Sequence, residues 1–524
     1  MGHSVMCSPS NIPYPDLPGA QFTSLGASLV SNLTIQIPES AYTNNGALNV
    51  QGVSFCNVTT TYTHGEGTET VTISVYLPET NWNGRMQGIG GGGWNAGGLH
   101  FPPASMSMLG AVAEGYSAAT DAGHASLDPE DWVLLSPGHV NLRLLEDFGS
   151  TSLNELSIIG KAITKSYYGK PPTYSYWNGC SQGGRQGMKL AEKYPTAFDG
   201  IVASAPALDL AGLGVGDLWP QVVMNTMDQY PKNCELVAIT QAAVEYCDGF
   251  DGLIDGIISN PDTCNFDPYS IVDRPLTCND TGTPEMVHIS KTAAQIANAT
   301  WTGARKIDNS FLWWGIKKGA RLVEENVGFV IIPGLATTVC LQNGTCAGKP
   351  MEISDQWTRL IVKKDHSFDV STITAVEFED LFRASMEEYG SIFNVEPNLN
   401  AFRDAGGKVM SYHGLADTVI PPDSTRHLYE RIAAQDKYVH EYYRLFEAPG
   451  LDHCYSGAGG YYPAGLFKAL VSWVEDGIHP DKLVASTPPL NGSTHESILC
   501  PYPQKAYYNG LGSSATADDF YCDE

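Results

Sequence analysis

Asn178-Gly179-Cys180-Ser181-Gln182-Gly183-Gly184 stands between an apolar, aromatic run, Thr173 to Trp177, and a helical pattern from Arg185 to Lys193. The run reads as a strand, so the serine occupies a sharp strand-to-helix turn of the form G-x-S-x-G. Residues without a Cβ are needed beside such a serine, because its backbone takes unusual dihedrals and its neighbours pack closely. Its hydroxyl is thereby held outward as a nucleophile. The same pentapeptide also occurs in plain structural turns, so its meaning depends on what lies elsewhere in the chain.

Two later stretches supply that context. Lys408 to Asp417 is strand-like and ends in a turn that presents the acid, with Pro421 and Pro422 as a breaker. Tyr442 to Ala448 is strand-like and leads through Pro449-Gly450-Leu451-Asp452 to His453. The order Ser, Asp, His along the chain is that of an α/β-hydrolase fold. In the chemistry this implies, His453 takes the proton of Ser181, Asp417 fixes the imidazole tautomer and stabilises its cation, and Ser181 attacks an acyl carbon. The tetrahedral oxyanion needs preorganised donors. Gly90-Gly91-Gly92-Gly93-Trp94-Asn95-Ala96-Gly97-Gly98 follows the strand-like Arg85 to Ile89, and its amides, Gly92 in particular, are expected to face the oxyanion beside the amide of Gln182. No G-x-x-x-x-G-K-[ST] accompanies the glycines, which argues against a phosphate cradle.

Cys180 precedes the serine and Cys454 follows the histidine. A Ser–His hydrogen bond brings its neighbours within disulfide range, so a Cys180–Cys454 bridge is expected.

Gly179 to Gly184, the Asp417-to-Pro422 turn and Pro449 to Cys454 together resemble the tannase and feruloyl esterase family. The likeness extends over nearly the whole chain, including Thr120 to His124 and Trp473 in the helix-like Ala464 to Asp476. Membership implies a secreted esterase of aromatic acids: feruloyl esterases on hydroxycinnamates of plant cell walls, tannases on galloyl esters, a bacterial branch on a terephthalate monoester. The resemblance also implies bridges Cys7–Cys56, Cys247–Cys264, Cys340–Cys346 and Cys500–Cys522. That leaves Cys234 with Cys278, although connectivity does not follow from sequence alone.

The chain has 524 residues, enough for more than one domain or a large insertion. More than two hundred residues separate the helix after Ser181 from the strand before Asp417. A helical, loop-rich domain is placed at 209–395, dividing the hydrolase domain into 1–208 and 396–524. In the family this insertion is a lid; it would wall an apolar acyl pocket. Its tryptophans (Trp219, Trp301, Trp313, Trp314, Trp357) read individually as its own core, and as a set as a source of pocket residues. Within it, Asp248, Asp251 and Asp255 alternate with glycines as in calcium loops, where hard oxygens converge from a tight turn. Close unpaired acids repel without a cation. The resemblance adds the carbonyls of Leu253 and Ile257, making the expected cofactor a structural Ca2+ far from Ser181. The bidentate Glu of an EF-hand is missing.

A net charge of −27 disfavours nucleic acid or an anionic membrane as partner. No window approaches the ~18 uninterrupted apolar residues of a membrane span. Twelve cysteines and six N-x-[ST] sequons, at Asn32, Asn57, Asn279, Asn298, Asn343 and Asn491, point to an oxidising, extracellular destination. Met1 to Met6 carry no apolar segment, so a signal peptide is expected to have been removed. His413, four residues before Asp417, reads as packed rather than as a competing base, and His124 as a satisfied or surface residue.

The leading reading is thus a serine esterase of hydroxycinnamoyl esters, its partner a small aromatic ester or feruloylated polysaccharide. A tannase would share every catalytic feature and differ in the polar partners its pocket offers a galloyl ring. A reading of another class, a hydrolase-fold binding protein without activity, conflicts with the intact set of Ser181, Asp417 and His453.

Overall fold

The computed structural model describes residues 7–523 apart from 40, 66–68, 99–100, 124–125, 328–329, 455–458, 489–493 and 511–515. His124 and Asn491 lie outside the described residues. The main sheet has nine strands, named here β1 (Ala20–Ile37), β2 (Leu48–His64), β3 (Val71–Pro78), β4 (Arg85–Ile89), β5 (Ser117–Gly123), β6 (Tyr174–Cys180), β7 (Gly200–Ser204), β8 (Lys408–Gly414) and β9 (Tyr443–Ala448). Their spatial order is β1-β2-β3-β5-β4-β6-β7-β8-β9. β1, β2, β3 and β5 pair antiparallel, and from β5 through β4 to β9 every pairing is parallel.

Burial explains this division. β7 is buried along its length, and β6 and β8 from their second residue, as expected for parallel strands covered on both faces. β1 alternates half-buried with exposed positions, which suits an antiparallel strand at the rim. Helices Ser152–Tyr168, Gln182–Lys193 and Pro422–Gln435 pack on one face through Leu156, Ile159, Met188 and Leu428. Helices Pro102–Ala113 and Leu466–Asp476 cover the other through Met108, Leu470 and Trp473. The α/β class expected from sequence is the one observed.

The stretch between β7 and β8 contributes no strand to this sheet. It is largely helical, as expected, but also carries three short hairpins: Pro275–Cys278 with Glu285–His288, Glu325–Val327 with Val330–Ile332, and Thr338–Cys340 with Cys346–Gly348. Its apolar core is not private. Trp313 and Trp357 share one cluster with Trp94, Trp132 and Phe148, which precede β6. All twelve cysteines are paired as the sequence reading has them, Cys234–Cys278 included. Among the described residues no helix is long and apolar enough to cross a membrane.

Candidate active site

Ser181 follows β6 directly and caps the helix Gln182–Lys193, with φ 62° and ψ −123°. A left-handed conformation at a residue with a Cβ is unfavourable by roughly 1–3 kcal/mol and persists only where the surroundings over-determine it. Here they do. The Ser181 N–H donates to Ser204 O at 2.9 Å, and its carbonyl accepts from Arg185 N at 3.0 Å and Ala207 N at 3.2 Å.

β8 and β9 bring the other two groups. Beyond β8 the chain turns so that Asp417 is fully buried, its Oδ1 accepting from Val419 N at 3.0 Å and Ile420 N at 2.8 Å. His453 lies five residues past β9. Its Nδ1 sits 2.7 Å from Asp417 Oδ2 and its Nε2 3.0 Å from Ser181 Oγ. The Cys180–Cys454 bridge, Cα–Cα 5.8 Å, fastens the histidine's loop to the elbow. The three side chains therefore converge on one point.

Electrostatics match the geometry. Burial alone would raise the Asp417 carboxyl, but the facing His453 and His413 hold it well below the usual carboxylate range. Burial pulls His453 down, yet the charge and hydrogen bond of Asp417 outweigh it and leave the imidazole raised. His413 is packed, as expected: Nδ1 contacts Thr425 Oγ1 at 2.8 Å and Nε2 contacts Ile420 O at 3.0 Å, so neither nitrogen is open to a substrate. Nε2 also lies 3.3 Å from Asp417 Oδ2, which makes it a second neighbour of the acid.

Two supports of the site leave no local pattern in the sequence. Arg321 donates to the buried Asp452 Oδ2 at 2.6 Å, tying the loop before His453 to the 209–395 stretch. Arg185, fully buried, donates to Gln182 Oε1 at 2.7 Å and to the carbonyls of Gly149 and Phe148.

Ser181 and His453 open onto a cavity of about 840 Å³. Leu210, Leu213, Met351 and Ile353 of the 209–395 stretch line it, together with Val419 and Ile420. None of the five tryptophans singled out does; they pack in the core instead. Gly92 lines the cavity, but its N–H donates to Asn95 O at 3.1 Å. The expected role for Gly92 is thus corrected: the Gly92–Asn95 turn closes on itself and consumes that donor. Gly93, next on the same wall, donates its N–H to nothing among the described residues, and the same holds for Gln182. Three buried side-chain atoms on the wall also lack a partner: Asn95 Oδ1, Gln182 Nε2 and Asp217 Oδ1.

The acidic loop lies apart from this cavity. Asp248 Oδ1 accepts from Asp255 N and Gly256 N, Asp251 Oδ1 from Leu253 N, and Asp255 Oδ1 from Ile257 N. Burial raises the Asp255 carboxyl, with repulsion from Asp251 and Asp248 adding to it. The carbonyls of Leu253 and Ile257 accept no hydrogen bond among the described residues. This all-oxygen donor set fits a hard cation in its chemistry. The carboxylates are, however, spread: among the described residues only Cys234, Cys278 and Asp280 bring three candidate ligand atoms within 4.8 Å of one another, and the two cysteines form a disulfide.

Ser181 at a strand-to-helix elbow, with Asp417 and His453 following later parallel strands, is the arrangement of the α/β class of hydrolases. A family model described as tannase and feruloyl esterase matches residues 56–523. A probable feruloyl esterase of Arthroderma benhamiae is 37% identical over 98% of this chain and 93% of its own length. A tannase of Aspergillus oryzae is 28% identical over the same shares. In fold the chain is similar to a solved tannin acyl hydrolase from Aspergillus niger, with TM-score 0.88 and 24% identity across 99% of this chain and 95% of that one. The chain belongs to the tannase and feruloyl esterase family and is a carboxylic ester hydrolase.

Proposed function

We propose that the protein is a secreted serine esterase that hydrolyses esters of hydroxycinnamic acids, such as feruloyl groups on plant cell-wall polysaccharide. The observation that carries this reading is the unbroken hydrogen-bond chain Ser181–His453–Asp417 at the wall of a largely apolar cavity.

In the proposed reaction, Ser181 Oγ bonds to the ester carbonyl carbon while its proton passes to His453 Nε2. The Gln182 N–H and a donor of the glycine loop, Gly93 in place of Gly92, hold the oxyanion. Collapse breaks the bond to the alcohol oxygen, which leaves with the proton from His453. Water, deprotonated by the same imidazole, then releases the acid and restores Ser181. The 209–395 stretch serves as the lid, since it supplies Leu210, Leu213, Met351 and Ile353 to the cavity wall. Secretion is supported by six disulfides and by the sequons: of the five described, none is buried. We assign a structural Ca2+ to Asp248, Asp251, Asp255 and the carbonyls of Leu253 and Ile257, with no part in the reaction.

The test is twofold. A serine-directed phosphonate is expected to form one adduct, on Ser181; an unlabelled Ser181 in folded protein would return the molecule to the inert binding class. Methyl ferulate is expected to be turned over faster than methyl gallate, and the reverse order would make it a tannase.

A further inference from the structure

Asp217 follows the helix Leu210–Gly216 and belongs to its cavity-facing stripe. Leu210, Leu213, Gly214 and Asp217, spaced i, i+3, i+4 and i+7, all line the cavity that holds Ser181. The first positions are apolar; the last is a carboxylate, only 3% exposed. Its backbone N–H is used by Leu213 O, while the carboxyl makes no hydrogen bond among the described residues, and Oδ1 is buried without a partner.

An unpartnered buried carboxyl is unfavourable by several kcal/mol if charged, and each such group in a folded protein calls for a ligand or a reason. The triad gives none, because Asp417 already holds His453. Nor does the reacting carbonyl: the other two orphaned atoms, on Asn95 and Gln182, sit in the glycine loop and the elbow, whereas Asp217 stands on a separate helix. That helix starts near the serine, where Ala207 N donates to Ser181 O, and Asp217 lies about 10 Å further along the axis than Leu210. Burial pushes the Asp217 carboxyl well up, and the charge of Asp417 adds to the shift. A neutral carboxyl both donates and accepts, which complements a phenolic hydroxyl in the same respect. An ammonium group fits less well, because the leucine walls would strip its hydration.

We propose that Asp217 is a specificity-determining residue for the acyl group, pairing with the aromatic ring hydroxyl when the ester carbonyl lies at Ser181. This rests on the esterase reading above and narrows it to acids hydroxylated on the ring.

The experiment compares kcat/KM for methyl 4-hydroxycinnamate, methyl 4-methoxycinnamate and methyl cinnamate in the wild type, Asp217→Ala and Asp217→Asn. The wild type is expected to favour the hydroxylated ester by roughly tenfold to a hundredfold. Asp217→Ala collapses that ratio, and Asp217→Asn, which keeps a donor and an acceptor, restores part of it. An equal loss on all three esters, or a ratio that survives Asp217→Ala, overturns the proposal. Calorimetric binding of free 4-hydroxycinnamic and cinnamic acids to Ser181→Ala separates the two readings, because it needs no turnover. A preference for the hydroxylated acid that disappears in Ser181→Ala/Asp217→Ala upholds the assignment even if the esterase reading fails, and no preference sinks it.

Discussion

Two turns of this molecule are built from glycines and a functional side chain, and they are held in opposite ways. At the elbow, a Cβ on Gly183 would come within 2.8 Å of Gly91 O, so the turn is fixed by backbone packed against backbone from another part of the chain. In the acidic loop, a Cβ on Gly256 would meet nothing within 4 Å, and the turn is shaped by its own aspartates capping nearby amides. One conformation is imposed by the whole fold, the other is written locally. The elbow keeps a strained serine with no outside help, whereas the loop gathers like charges.

The elbow depends most heavily on its electrostatic support. Asp417→Asn preserves shape but favours the wrong imidazole tautomer and removes the charge that raises His453. A fall in kcat of about 10⁴ is expected, by analogy with the equivalent change in a serine protease. The sign of the pH effect follows. His453 accepts a proton only when neutral, and its raised pKa places the acidic limb of kcat/KM above the roughly 6.5 of a free histidine. In Asp417→Asn burial prevails, and the limb moves to lower pH. A pH–rate profile of both proteins checks this; an unmoved limb would mean that another group sets it.

The acidic loop is expected to respond to calcium where the elbow does not. At a hundred times its dissociation constant, a cation bound only by the folded state stabilises by about 2.7 kcal/mol. Thermal unfolding should therefore begin several degrees lower in chelator than in calcium, and Asp255→Asn should abolish the difference. If wild-type protein unfolds identically in both, the loop is a hydrogen-bonded turn and the two turns are alike in needing no ligand.

The same contrast accounts for what was legible in the sequence. Ser181, Asp417 and His453 were readable because each follows an apolar run that must become a buried parallel strand, and because Cys180 and Cys454 flank two of them. Nothing in the order of residues shows that Asn95 folds back onto Gly92 and takes up its N–H. Arg321 and Asp452 are 131 residues apart, and a single ion pair at that separation leaves no local pattern. Only the tertiary arrangement shows that the helix face carrying Asp217 is the cavity wall. The short hairpins between β7 and β8 expose polar positions such as Thr277 and Asn326 and apolar ones such as Met286, Ile331 and Val339 alike, and so show no clear apolar alternation.

The smallest expected effects come from the glycines themselves. Gly256→Ala meets open space and bears only the penalty of its φ of 81°, about 1–2 kcal/mol, with esterase activity unchanged. Gly183→Ala has ordinary dihedrals to satisfy but must displace Gly91 O, an overpacking of about 1–3 kcal/mol that moves the glycine loop against the elbow. Because that loop also carries Gly93, the proposed second oxyanion donor, part of the penalty should surface as lower kcat rather than as lower stability. Unfolding midpoints and kcat/KM for both variants decide the matter. If Gly183→Ala loses stability alone, with kcat intact, the contact between elbow and loop serves packing only, and the oxyanion donors must be held in place by something other than Gly91.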